Sequence, residues 1–217
     1  MATPFSTSPF FYDTPQTIPS DNRSPYARPP ILKRAAVPQK SWRPQVKRKT
    51  KNGPLTPLPR ITFDLAGAPP SYGLPIALLT SQGCQQSVQD MVQGGREVIL
   101  QGLDKVVFRI LWPGYDHVDW HRHVRLTTST GPITRGQLAE QIIDHLFSFF
   151  HKLASETVDP NEKVWTIGHN TRARQWGMEN VILLGLYPVH ERTYQAELQV
   201  CLPDEAQVDN RDGARGS

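Results

Sequence analysis

Between residues 105 and 154 the apolar side chains change their spacing from every second position to every third or fourth. Val106, Phe108, Ile110 and Trp112 alternate, with Arg109 on the other side. The alternation resumes with Val118, Trp120, Val124 and Leu126 against Asp119, His121, His123 and Arg125. A period of two is that of extended chain with one buried face. Between the two runs, Trp112, Pro113, Gly114 and Tyr115 have turn chemistry, since proline presets φ and glycine accepts a positive one. An antiparallel hairpin is expected, feeding a long helix. Thr134 and Gln137 open that helix with a capping-box pattern, in which hydroxyl and side-chain amide satisfy the first free backbone groups. Leu138, Ile142, Phe149 and Leu153 make one apolar stripe. Ala139, Ile143, Phe147, Phe150 and Ala154 make an adjacent one, with Leu146 among them. Gln137, Glu140, Gln141, Asp144, Ser148 and Lys152 fall opposite, so a broad buried face is expected.

Weaker patterns complete the framework. Ile61, Phe63 and Leu65 alternate as a short strand, while residues 75–80 are apolar without a clear period. Cys84, Val88, Met91 and Val92 recur at helical spacing, and Gly94 with Gly95 closes that segment as a helix cap does. Residues 164–167 read as a short strand. Residues 181–186 are apolar on both sides, which suits an interior strand. Tyr194, Ala196, Leu198 and Val200 point inward from a last strand, and the short link 188–192 makes the two an antiparallel pair. The expected fold is α+β: an antiparallel sheet with one long amphipathic helix packed on one face. Residues 1–60 are expected to be a disordered, basic, proline-rich tail, 61–202 a single α+β domain, and 203–217 a disordered C-terminal tail.

Composition sharpens the division. At 217 residues the chain suits one domain plus a tail, or at most two small domains. Twelve of the 20 prolines precede Ile61. Between Asp21 and Asp64 lie eleven Lys and Arg and no acidic residue, so the remaining 13 basic and 20 acidic residues leave the rest of the chain net negative by 7. Cys84 and Cys201 are too few for a disulfide framework and lack metal-ligand spacing, which points to free thiols in a reducing compartment. No apolar run approaches bilayer length and no signal-peptide core is present, so a soluble intracellular protein, nuclear or cytoplasmic, is expected.

The tail carries three kinds of short signal. Lys33 and Arg34, then Lys47, Arg48 and Lys49 with Lys51, have the spacing of a two-part nuclear import signal, and the same charges suit nucleic acid or a solubilising linker. Lys51, Pro54 and Pro57 fit a basic residue followed by a polyproline ligand for an aromatic groove. Thr3, Ser8, Thr14, Ser24 and Thr56 each precede proline, as substrates of proline-directed kinases do, and phosphate there would cancel nearby basic charge.

Candidate chemistry in the body is sparse. Asp119, His121 and His123 share one strand face, and two histidines two apart project in parallel toward one metal ion. The competing reading is a solvated face, since no further ligands stand at recognisable spacing. Asp144, Ser148 and His151 neighbour one another on the helix, but a mid-helix serine has neither a strained turn nor an oxyanion hole. His145 borders the apolar stripe as a packed histidine does. Arg172, Arg174 and Trp176 form a loop able to pair and stack with a nucleic acid strand, against the repulsion of an acidic body. There is no phosphate loop, dinucleotide fingerprint or nucleophile elbow, so no enzyme and no cofactor is expected.

The residues 110–115, reading Ile-Leu-Trp-Pro-Gly-Tyr, with His117, Val118, Asp119 and Trp120, then Gly131, Pro132, Ile133, Thr134 and Arg135, carry one resemblance. The pattern resembles a group of uncharacterised proteins of mushroom-forming (basidiomycete) fungi, in which it precedes a C-terminal pair of strands. Here these are residues 180–186 and 195–200. The resemblance leaves out the tail and implies no activity. It favours a lineage-restricted domain in which Trp112, Trp120 and Thr134 are core and cap residues. Together these readings point to a non-enzymatic interaction protein that meets protein partners through its basic arm. The alternatives are nucleic-acid binding through that arm and a metal-dependent enzyme built on His121 and His123.

Overall fold

A computed structural model of the chain describes residues 33–44, 58–80, 87–168 and 175–202. In chain order the elements are β1 (Arg34–Ala36), β2 (Ile61–Thr62), β3 (Leu74–Pro75), α1 (Ala77–Thr80), α2 (Val88–Met91), β4 (Lys105–Arg109) and β5 (His121–Arg125). There follow β6 (Thr127–Thr128), β7 (Gly131–Pro132), α3 (Arg135–Leu153), 3-10 helices Pro160–Trp165 and Met178–Asn180, then β8 (Val181–His190) and β9 (Thr193–Cys201). The class is α+β.

The long strands β8 and β9 are the spine, joined by the two-residue turn of Glu191 and Arg192, with Glu191 at φ +43°. Val181, Ile182, Leu183, Gly185 and Leu186 are buried, as a strand apolar on both sides requires. β2 and β3 pair in turn along β8, at Ile61 with Leu186 and at Leu74 with Leu183. Across the sheet the order is β2-β8-β9-β4-β5. The expected hairpin is present, with Lys105 opposite Arg125 and Arg109 opposite His121. One expectation fails: β4 runs parallel to β9, pairing Val107 with Thr193 and Arg109 with Gln195, so the sheet is mixed. These two strands are joined through the whole of α3, a crossover that sets strand direction and leaves no trace in local alternation.

A second correction concerns the tail. β1 lies antiparallel on the part of β9 that β4 does not reach, pairing Arg34 with Cys201 and Ala36 with Gln199. Val37 is buried in the core cluster. Residues 33–44 and 58–60 are therefore built into the body, and its boundary does not fall at Ile61. Proline density concealed this, because a strand of three residues needs no long apolar run when a long neighbour supplies the ladder.

Thr134 caps α3 with the expected capping box, its hydroxyl accepting from Gln137 N and the Gln137 side chain accepting from Thr134 N. Leu138, Ala139, Ile142, Ile143, Leu146, Phe149, Phe150 and Leu153 are buried. Phe147 and Ala154 were expected among them and are exposed. They are seven apart, on one line of the helix with the exposed Glu140, just outside the buried arc. Residues 75–80 resolve into the end of β3 and the single turn α1. α2 is one turn capped by Ser87, and Val92 beyond it is extended and bridges Leu65. Cys84 lies outside the described residues. In place of a strand at 164–167 stands the 3-10 helix Pro160–Trp165, after which Ile167 bridges Trp176.

Aromatic rings fill the interior. Trp112 meets Phe150 edge-on at 5.1 Å and Trp165 at 5.9 Å, and its Nε1 donates to the Trp165 carbonyl at 2.8 Å. Trp120 meets Phe149 at 5.3 Å and Phe108 at 6.1 Å. Tyr194 is fully buried and its hydroxyl donates to the Pro59 carbonyl at 2.9 Å. Burial pushes that phenol up to about 12, against an ordinary value of 10.0. Between those values the unfolded chain loses this proton while the folded chain keeps it, so stability falls as pH rises. Urea unfolding across that range should show the fall, and Tyr194→Phe should flatten it.

Candidate interaction surface

Beyond β1 the chain continues as a strap along β9, and its polar side chains explain how a proline-rich stretch is held. Val37 N donates to Leu198 O at 3.0 Å. Gln39 Nε2 donates to Ala196 O at 2.8 Å, and its Oε1 accepts from Leu111 N at 3.1 Å, closing the gap between β1 and β4. Gln195, fully buried in β9, donates to Lys40 O at 2.8 Å and accepts from Trp42 N at 3.0 Å. A buried amide with both ends satisfied by strap backbone fixes the strap in register. Trp42 then lies against the guanidinium of Arg109, 4.2 Å from ring centroid to Cζ, and meets His190 edge-on at 6.0 Å. Arg109 is 9% exposed and pairs with Asp119, whose same oxygen stands 3.7 Å from His121 Nδ1.

The chain is held again before β2. Pro59 accepts from Tyr194, and Arg60 Nε donates to Glu197 at 2.9 Å. Residues 45–57 thus connect two points that are both fixed to β9.

Of the residues singled out from sequence, Lys33 is exposed and its carbonyl accepts from Leu202 N at 2.8 Å. Arg34 is engaged: it donates to Tyr72 O at 2.7 Å and its guanidinium stands 4.0 Å over the Tyr72 ring. Arg34 thus belongs to a sheet strand with its guanidinium engaged, while the Lys33 side chain stays exposed just before that strand. Lys47, Arg48, Lys49, Lys51, Pro54 and Pro57 lie outside the described residues, as do the proline-directed sites and Arg172 with Arg174. Trp176 stacks on Trp165 at 5.9 Å and donates to Val164 O at 2.7 Å.

His121 and His123 are exposed on β5 with Asp119 beside them. Among the described residues no three His, Cys, Asp or Glu side chains are grouped to hold a metal ion. Ser148 Oγ donates to the Asp144 carbonyl at 3.0 Å, a bond within the helix backbone and not to a catalytic partner. His145 is half-buried beside Phe108 at 6.2 Å and Trp120 at 6.1 Å. Burial, then the Arg122 cation, lowers its pKa from the ordinary histidine value.

Gln39, Trp42, Gln195 and Arg109 as a cluster were not foreseen. The available signals were a tryptophan stranded in a polar stretch and a glutamine between Tyr194 and Ala196 in a core strand.

At the other end of the sheet stands β5, with no strand beyond it among the described residues. Its exposed side chains are His121, Arg122, His123 and Arg125, and Lys105 stands opposite Arg125. Arg122 folds back over the Trp120 ring, 4.4 Å from its centroid, and donates to His121 O at 2.9 Å. No described helix is long and apolar enough to cross a membrane. Comparison of the chain with protein-family models, with curated proteins and with solved structures finds no match.

Proposed function

We propose that the protein is a non-enzymatic interaction module whose partners engage the cationic, proline-rich residues 45–57, and that this segment directs nuclear accumulation. The observation that supports it is the double anchorage of that segment. Trp42 and Gln195 hold one end, and Pro59 and Arg60 hold the other. Lys47, Arg48, Lys49 and Lys51 form one dense group of charge in the sequence between these two anchors, and a segment tethered at both ends has less entropy to lose on binding than a free tail. Arg34 does not share the task, since its guanidinium is held against Tyr72. Likeness to the fungal group is proposed with it, as that of a scaffold domain of restricted lineage.

The test is a fluorescent fusion of the full chain in which Lys47, Arg48, Lys49 and Lys51 are replaced by alanine. Nuclear enrichment should disappear while thermal unfolding stays unchanged. An unchanged distribution overturns the import role. Nucleic-acid binding by the same four cations is the second reading, favoured by their concentration without any intervening acid. It requires affinity for labelled DNA or RNA that falls steeply with salt.

A further inference from the structure

We propose that β5 is a docking edge for an acidic peptide segment, which adds to the sheet as an extra strand. Backbone geometry supplies the first argument. Val107 N donates to Arg192 O, on the β9 side, so Val107 and its partner His123 form a pair without mutual hydrogen bonds across β4 and β5. Pairs alternate along an antiparallel ladder, so Arg122 and Val124 bond to β4 while the N–H and C=O groups of His121, His123 and Arg125 face outward. Leu126 N, bonded to Asp104 O, keeps the same alternation. The His121 carbonyl already accepts from Arg122 Nη1, so an added strand pairs with the His121 N–H and with both groups of His123 and Arg125.

Charge supplies the second argument. His121, His123 and Arg125 project from one face of β5, all exposed, with Lys105 alongside Arg125. Residues directly opposite one another in an antiparallel pair share a face. An incoming strand with carboxylates at every second position would set each against one of these three side chains. Asp119, the nearest acid at the head of β5, pairs with Arg109 and stands 3.7 Å from His121 Nδ1, so the His121 end is the least cationic part of the row. Charged side chains on an edge also guard it against self-association. The cations Arg125 and Lys105 do this by repelling a second β5, and the same charges are complementary to an acidic strand. Neither argument involves residues 45–57, so this surface is independent of the proposed import segment.

The probe is a fluorescein-labelled peptide of alternating glutamate and valine, titrated into the full-length chain and followed by anisotropy. Saturable binding is expected, with none for the peptide carrying lysine in place of glutamate. His123→Pro removes an outward N–H and leaves the β4 ladder whole, so it should weaken binding at least tenfold with little change in thermal unfolding. Arg125→Glu should weaken it comparably through charge alone. Alanine at Lys47, Arg48, Lys49 and Lys51 should leave it unchanged. Absence of saturable binding, or binding indifferent to both β5 variants, overturns the proposal. Tight binding of a single-stranded oligonucleotide, reduced by Arg125→Glu and not by His123→Pro, replaces strand addition with phosphate recognition.

Discussion

Relative to removal of residues 1–32 alone, removal of residues 1–44 is expected to destabilise the fold by about 3–5 kcal/mol. The longer cut takes away the β1 ladder on β9, the burial of Val37, both hydrogen bonds of Gln39 and both partners of the Gln195 amide. Net hydrogen bonds at roughly 0.5–1.5 kcal/mol each, with one aliphatic side chain exposed, account for the sum. The Arg109 guanidinium also loses the Trp42 ring that covers it. The shorter cut ends before the first described contact. Urea unfolding followed by circular dichroism distinguishes the two, and Gln195→Leu in the full chain offers a milder version of the same lesion. Equal midpoints for both truncations would mean that residues 33–44 contribute nothing to the folded body.

Trp112→Ala is expected to cost about 3–5 kcal/mol, enough to unfold much of a marginally stable domain. The indole is 1% exposed and lies between Phe150 on α3 and Trp165 on the 3-10 helix, so its loss leaves a void bounded by two elements with little freedom to collapse. Its Nε1 also satisfies the Trp165 carbonyl. Trp112→Phe separates the two contributions: most of the volume remains, and the unpaired carbonyl should cost roughly 1–3 kcal/mol. A lowered urea midpoint at unchanged slope is the expected signature. A loss below about 1 kcal/mol for the alanine variant would contradict a packed interior around this ring.

Local chemistry was enough to read the centre of the chain. The hairpin of β4 and β5, the Thr134 cap with Gln137, and the inward set of β8 and β9 follow from period-two and period-3.6 patterns and one capping box, each settled within a few residues. Phe147 marks the edge of that method, since spacing locates a buried arc and only the neighbouring elements fix its width. The parallel joint between β4 and β9 required the tertiary structure, because strand direction depends on a crossover that passes through α3. So did the strap. Nothing near Trp42 indicates that a buried Gln195, more than 150 residues later, supplies two of the hydrogen bonds that hold the strap. The separation of Arg34 from the downstream basic group has the same origin. A run of charges can be counted in a sequence, but which of them remain available depends on long-range pairing that no local pattern encodes.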